Sequence, residues 1–491
     1  MSLTFVGICL AAVIGLYFYN NPLKHGGWFL MRRFINWFPL GMTYSFLYMG
    51  RFNLTVAKNS LGELMSNADY GLIFGAGTVT YGLSFLINGP LVDKIGGKRG
   101  IIIAAVGASA ANIMLGVLAY LALTGRLRIK LVTAFSIAYA VNMYFQSYGA
   151  VSIIKVKAYW FHVRERGVFG AIFGTLISFG VYFAFDWGQA ILDMTKVGPA
   201  GPSGWLHGLV LHVFAFKGGT GDATWAVFFI PAAILLVWVL LDWWLIKDTP
   251  EEAGFPAFDP ADASTGHMDE KYTALDLLKK VFGSPLMLMF AAVALTVGVI
   301  RNGILAWYSV FAKPVPPAGP TFIMAHWGLL LCLFGIVGGF AGGLVSDKCF
   351  QSRRGPPAAL LCGVMFLLTI VMAVWLFASP IITGLAALLI VLAVTGVHSL
   401  MAGTAAADFG GRKATATCSG IVDGCVYLGG AIQSVSLGYL TGLSWLWWPM
   451  FLMPFALIGG FIALRTWNEL PAATRKYIVE VEQKVPAAAT P

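Results

Sequence analysis

Charge is scarce in this sequence. Asp, Glu, Lys and Arg make up 11% of its 491 residues, against roughly 25% in a soluble domain. A water-soluble globular protein is excluded on that ground. Cysteine is scarce as well. The six are Cys9, Cys332, Cys349, Cys362, Cys418 and Cys425. They lie in or beside apolar stretches and show neither paired spacing nor a metal pattern, so they read as small core residues. No nucleotide motif is present. "GAGTVTYG" at 75–82 lacks the GK[ST] of a P-loop and sits within a helical stretch. No nucleophile–base pair emerges either. An enzyme, a cofactor and a bound metal are not expected, and work done across a membrane would have to draw on gradients.

What the sequence does hold is apolar length. It is 58% hydrophobic, with a mean hydropathy of +0.78. About 20 apolar residues cross a bilayer as a helix. Thirteen such spans are expected, at 3–20, 36–58, 69–92, 100–124, 130–154, 166–192, 224–246, 285–312, 322–345, 358–378, 380–405, 414–442 and 445–465. The net charge of +10 does not point to nucleic acid, because the basic residues cluster in short loops between spans, as the positive-inside tendency predicts. Lys94, Lys98 and Arg99 form one such cluster, and Lys155, Lys157, Arg164 and Arg166 another. Lys348, Arg353 and Arg354, then Arg412 and Lys413, complete the set on the expected inner side. Arg126, Arg128 and Lys130 fall outside in this topology and oppose it.

The opening span lacks the basic n-region of a signal peptide, since "MSLTFVGICLAA" is followed, not preceded, by Lys24, Arg32 and Arg33. It is expected to remain as an extra helix, residues 1–22, with the N-terminus outside and residues 21–35 inside. It would pack on the periphery of a twelve-helix body and offer a surface for a membrane protein partner. The other divisions are a first six-helix half at 34–246, a cytoplasmic linker at 247–283 and a second half at 284–467. A polar tail follows at 468–491. The linker contains "TALDLLKKVF", a short amphipathic stretch. Residues 193–223 form the longest outer loop.

The halves repeat weakly. Arg51 in "YMGRFN" lies in the first helix of one half and Arg301 in "RNGILAWYS" in the first helix of the other. "GPLVDKIGGKRG" (89–100) and "GGLVSDKCFQSRRG" (342–355) follow the second helix of each. Arg51 to Asp93 is 42 residues and Arg301 to Asp347 is 46. Matched halves suggest parallel repeats with a site between them near mid-membrane. An arginine there needs a reason, because inserting one costs about 2.5–3.5 kcal/mol. Arg51 lies roughly 22 Å along its helix from Ile35, which makes snorkelling to a headgroup awkward. The structural alternative is pairing with a carboxylate.

Six plus six helices and these loops resemble the major facilitator superfamily. The narrower resemblance is to its organophosphate:phosphate antiporters, the branch of glycerol-3-phosphate and hexose-phosphate transporters and sensors. It rests on "YMGRFN", "YFQSYG" at 144–149, "IKDTPEEAGFP" at 246–256, "RNGILAWYSVF" at 301–311, "SDKCFQSRRG" at 346–355 and "GRKATATCSGIVDGCVYLGG" at 411–430. The resemblance implies an all-α membrane protein, a twelve-helix fold plus the extra N-terminal helix. It implies that Arg51 and Arg301 bind the substrate phosphate. A guanidinium fork matches phosphate oxygens bidentately. It also implies a cytoplasmic latch at Asp93 and Arg99, with Asp347 and Arg354 as counterparts.

Tyr44, Tyr48 and Arg51 share a helix face at i, i+4 and i+7. Their phenols are expected to donate to phosphate, to close a hydrogen-bond network or to pack. Tyr81 matches a tyrosine of that branch, and Gln146 is grouped with the substrate residues. The sequence then departs from the branch: Phe85 stands where it has a lysine, and Tyr159 and Ala405 where it has histidines. Asp423 lies mid-helix where the branch has a small residue. It would pair with Arg301, meet a substrate hydroxyl or amine, or take up a proton. His398 would titrate or bond a neighbouring helix. Asn53 and Asn142 are further polar residues in spans. Asp186, near an outer helix end, is expected to be solvated, and Lys155 and Lys157 to be topogenic. The 58 glycines let helices approach closely.

The leading expectation is a secondary transporter, in an inner membrane, exchanging a phosphorylated organic anion for inorganic phosphate. A transporter-like sensor or accessory subunit is the alternative. A proton-coupled carrier of another anion or lipid is a third.

Overall fold

A computed structural model describes residues 2–162, 165–195, 197–198, 201–202, 223–256, 279, 282–312, 321–351, 353–401 and 406–469. Most of the linker, most of the outer loop, Ala405 and the tail from residue 470 lie outside the described residues. So does nearly all of the amphipathic stretch in the linker.

Each of the thirteen apolar spans falls on a helix. They are α1 Ser2–Tyr19, α2 Gly27–Lys58, α3 Asn67–Ile95, α4 Gly97–Leu123 and α5 Leu131–Trp160. Then comes α6, Arg166–Tyr182, which runs on through a π-helical turn, Phe183–Trp187, into Gly188–Thr195. After it come α7 Ala226–Leu245, α8 Pro285–Phe311, α9 Trp327–Cys349, α10 Gly355–Trp375, α11 Pro380–His398, α12 Ala406–Leu443 and α13 Trp447–Arg465. The architecture is all-α. A ribbon of two residue pairs, Val197–Gly198 against Gly201–Pro202, is the one strand pairing among the described residues.

Among the described residues, nine helices are long and apolar enough to cross a membrane by composition alone. Helices α2 and α5 fall short because they carry the buried polar residues of the interior, Arg51 and Asn53 on one, Asn142 and Gln146 on the other.

Local chemistry sets the helix starts. Ser66 and Asp69 form a reciprocal capping box at α3. Ser284 and Ser379 cap α8 and α11, each followed by a proline at the first helical position. The break between α3 and α4 requires a glycine. Gly96 has φ +92° and lies where a Cβ would collide with the Asp248 carboxylate. That carboxylate accepts from the Lys98 backbone N–H at 2.7 Å.

The two halves, α2–α7 and α8–α13, meet chiefly through α3 against α12 and α6 against α9. The hydrogen bonds joining them, among the described residues, lie between the midplane and one end, the end that holds Asn59, Asn67, Ser309 and Thr441. There Asn59 Nδ2 donates to the Ser309 carbonyl at 3.3 Å, Tyr70 to the Ala306 carbonyl at 3.3 Å and Asn67 Nδ2 to Thr441 Oγ1 at 3.2 Å. Backbones touch because Gly71 faces Ser434 and Gly438 with no room for a Cβ.

Asp186 corrects an expectation. It is not solvated. Its carboxylate crosses from the π-helical turn to the start of α9 and accepts from the backbone N–H groups of Gly328 at 2.8 Å and Leu329 at 3.2 Å. A carboxylate at a helix N-terminus satisfies donors that the helix itself leaves open.

The extra helix α1 packs against α6. Tyr17 on α1 donates to the Leu30 carbonyl at 2.8 Å and accepts from Arg33 Nε at 2.9 Å. Arg33 in turn makes two parallel bonds to Glu165, both 2.8 Å. Arg33 and Glu165 are 1% and 2% exposed. Arg33 is therefore more than a topogenic charge: it is one half of a buried ion pair that ties α1, α2 and the α5–α6 connection together.

Candidate functional site

Why Arg51 is buried is answered by what surrounds it. It is 1% exposed. Nε donates to Gln146 Oε1 at 3.0 Å, Nη1 to the Tyr427 hydroxyl at 2.8 Å and Nη2 to the Tyr81 hydroxyl at 3.0 Å. Its carbon centre lies 4.5 Å over the rings of both Tyr48 and Tyr81. Neither Arg51 nor Arg301 has a carboxylate within ion-pair distance among the described residues. The alternative of structural carboxylate pairing is not what the geometry shows.

A polar ladder backs the arginine. Gln146 Nε2 donates to Asn142 Oδ1 at 3.1 Å, and Asn142 Nδ2 to the Gly50 carbonyl at 2.8 Å. Asn112 Nδ2 donates to the same Asn142 oxygen at 3.0 Å, and Asn53 to Asn112. Tyr139 donates to the carbonyl of Arg51 itself at 2.7 Å. Buried polar networks of this kind rigidify when every member is met. Gln146, expected to contact substrate, is fully buried and spends its carboxamide on Arg51 and Asn142. It positions the guanidinium.

The tyrosines divide their work. Tyr48 offers its ring, not its hydroxyl, to Arg51, and Tyr44 packs edge-on against Tyr48 at 5.6 Å. The hydroxyls that meet the guanidinium come from Tyr81 and Tyr427, whose rings lie 4.2 Å apart. Tyr427 was not singled out from the sequence. A signal existed: it is one turn from Asp423, on the same face of α12. It comes from the other half of the chain, 376 residues from Arg51, and it interacts with Arg301 as well. The two arginines are near enough to repel each other. The structure thus brings Arg51, Arg301, Tyr81, Tyr427 and Phe85 to one place, with Phe85 edge-on to Tyr81 at 4.9 Å.

Asp423 does not pair with Arg301. Its Oδ1 lies 3.6 Å from His398 Nε2, with the two residues 24% and 31% exposed. That distance exceeds a hydrogen bond, and both Asp423 Oδ1 and His398 Nδ1 lack a hydrogen-bond partner among the described residues.

The loop residues with basic and acidic side chains lie at the other end of the bundle. Asp93 pairs with Lys155 at 2.9 Å, so Lys155 does more than set topology, and Arg99 is exposed. Arg354 is buried and donates to Ser346 Oγ at 2.9 Å. The side chain of Asp347 lies outside the described residues. Tyr159 is 41% exposed and lies under Lys155 Nζ at 5.6 Å.

Known proteins match this arrangement along most of its length. The profile of the Major Facilitator Superfamily fits residues 40–434. The glycerol-3-phosphate transporter of Bacillus subtilis (strain 168) is 24% identical over 436 residues, covering 87% of this chain and 90% of that protein. The membrane sensor protein UhpC of Escherichia coli (strain K12) is 23% identical over 432 residues, covering 86% and 88%. A probable hexose phosphate transport protein of Chlamydia trachomatis is 23% identical over 474 residues, covering 91% and 93%. These relatives fall in the branch that the motifs resemble. Among solved structures, an inward-facing bacterial homolog of the human lysosomal transporter Spinster superposes with a TM-score of 0.67 at 15% identity, over 89% of this chain and 97% of that one. A D-xylose-proton symporter gives 0.62 at 15% identity, over 88% and 97%. A profile that runs through both halves, on a chain whose halves each contribute an arginine to one interior site, leads to a single assignment: this chain is a member of the Major Facilitator Superfamily.

Proposed function

We propose that the chain is a secondary transporter that exchanges a phosphorylated organic anion for inorganic phosphate by alternating access. The observation that carries this reading is a pair of guanidiniums, one from each half, with no carboxylate within ion-pair distance among the described residues. Tyrosine hydroxyls and rings hold Arg51 in place without cancelling its charge. A dianionic phosphate entering between Arg51 and Arg301 would meet two planar forks of donors. The glycerol-phosphate and hexose-phosphate relatives support the substrate class. The π-helical turn and the glycine-lined contact of α3 with α12 supply a seal at one end that can part. We place that end outside, because Lys94, Lys98, Lys155 and Arg353 gather at the other. The N-terminus is then outside and the C-terminus in the cytoplasm.

The test is counterflow. Purified protein is reconstituted into liposomes loaded with unlabelled phosphate, and uptake of labelled phosphate is followed. Saturable uptake that requires internal phosphate, and that a phosphorylated sugar or glycerol phosphate blocks, is the expected result. Binding of phosphate without any exchange would replace this reading with a sensor. One relative is named as such, and α1 offers the lipid-facing surface a sensor's partner would need.

A further inference from the structure

We propose that the substrate carries an ammonium group as well as its phosphate, and that Asp423 receives it. The inference rests on the phosphate reading above and deepens it. The starting observation is an acceptor without a donor: Arg301 acts on Asp423 only through space. Asp423 Oδ1 has no hydrogen-bond partner, and the nearest basic atom, His398 Nε2, is 3.6 Å away. An acceptor left bare in a membrane interior is costly, so the oxygen needs a donor that the described residues do not supply.

The position of that oxygen defines the ligand. Asp423 and Tyr427 are one turn apart on α12, which is about 6 Å along the axis. Tyr427 belongs to the phosphate level, since its hydroxyl accepts from Arg51. Helix α3 runs antiparallel to α12, with Gly82 meeting Gly424 across their contact. Phe85, one turn beyond Tyr81 on α3, therefore stands at the level of Asp423. Phe85 and Tyr427 have ring centroids 6.3 Å apart. Aromatic faces beside a carboxylate are what an organic ammonium binds to. The interior thus holds two cations that both meet Tyr427 and, one turn away on α12, a carboxylate at the level of an aromatic ring. A dianionic phosphate joined to an ammonium by two or three carbons matches both sign and spacing. A simple sugar phosphate would leave the carboxylate with only hydroxyls, and a second phosphate would be repelled by it.

The experiment compares three probes on the full-length protein in detergent: inorganic phosphate, ethyl phosphate and 2-aminoethyl phosphate. Affinities are read by competition with labelled phosphate. The expected result is that 2-aminoethyl phosphate binds about tenfold or more tightly than ethyl phosphate, the scale of one charge-assisted bond. The Asp423→Asn variant should bring that ratio close to one. The ratio is the readout, so a general loss of affinity in the variant does not mimic the effect. If the wild-type protein binds both organic phosphates equally, the inference fails whatever the variant does. If Asp423→Asn keeps the ratio and instead abolishes a pH dependence of phosphate exchange, the carboxylate is a proton site and the inference is overturned. A failure to bind inorganic phosphate at all would sink the underlying phosphate reading. Phosphate binding with no preference for the amine sinks only the present inference.

Discussion

Three tyrosine rings and one carboxamide surround the Arg51 guanidinium, and none of them is charged at neutral pH. The positive charge is solvated by dipoles and ring faces, and stays available to an anion. Geometry is then what separates arginine from lysine at this position. In Arg51→Lys or Arg301→Lys the charge persists but the fork is lost. Phosphate affinity should fall about 10- to 150-fold in either variant, the equivalent of one hydrogen bond to a charged group. Isothermal titration with inorganic phosphate checks this, and unchanged affinity in both variants would mean the pair does not grip phosphate. Tyr427→Phe keeps the ring and deletes only the hydroxyl that accepts from Arg51. A smaller effect is expected, about fivefold for one ordinary hydrogen bond. A tyrosine that merely packed would show none.

At the scale of elements, the docking of α1 hangs on few atoms. Tyr17, Arg33 and Glu165 form one chain of bonds from α1 to the start of α6. Burial pushes the Glu165 carboxyl up, but the hydrogen bonds and charge of Arg33 outweigh it and hold the group below the ordinary glutamate range. A depressed carboxylate stabilises the fold fully above its unfolded value, about 4.3 for glutamate. That contribution is lost as the pH falls through the folded value. Wild-type protein in detergent should therefore lose melting temperature at acid pH through this pair, and Glu165→Gln should lack that step. At neutral pH, Glu165→Ala leaves Arg33 buried without a counter-charge, a loss of about 3–5 kcal/mol. A melting curve unchanged from wild type would show that the pair does not hold α1. The same reasoning explains Gly96. Its positive φ and its contact with Asp248 tie the α3–α4 loop to the end of α7, so a side chain there is strained twice over.

For the molecule as a whole, the decisive feature is an asymmetry between its ends. Hydrogen bonds between the halves, among the described residues, run from the Asn67–Thr441 pair down to Arg51–Tyr427. The glycine contact of α3 with α12 lies along that path. Gly438 sits against the backbone of Asn67, Ala68 and Gly71, where a larger side chain has no space. Gly438→Leu should force the sealed ends apart and shift the population toward the opposite opening. Spin labels at Asn67 and Thr441 would report a longer distance in that variant than in the wild-type background. An unchanged distance would mean that the contact is not a gate. Asp186→Asn should act in the same direction more weakly, because it removes the charge but keeps an acceptor for Gly328 N–H.

That thirteen apolar stretches would fold as helices, and that Arg51 and Arg301 each lie within one, was legible in the sequence alone. Apolar length is a property of consecutive residues, and the bilayer reads it in one dimension. The spacing of Tyr44, Tyr48 and Arg51 was legible too, since a helix face follows from periodicity. Which groups meet Arg51 was not. Tyr427 lies in the other half, and no local pattern says that α12 presents its hydroxyl to Nη1. Only tertiary structure decided that Tyr48 gives a ring face, that Gln146 serves the arginine and that Asp423 stays apart from Arg301. Asp186 and Arg33 teach the same lesson from the opposite side. Asp186 read as a solvated charge near a helix end, and Arg33 as a charge that orients the first helix. Their partners, two amides at the start of α9 and the Glu165 carboxylate, come from elements 142 and 132 residues away. Charges in a low-dielectric interior are settled by whatever the fold brings within about 3 Å, and that distance is not written in the order of the residues.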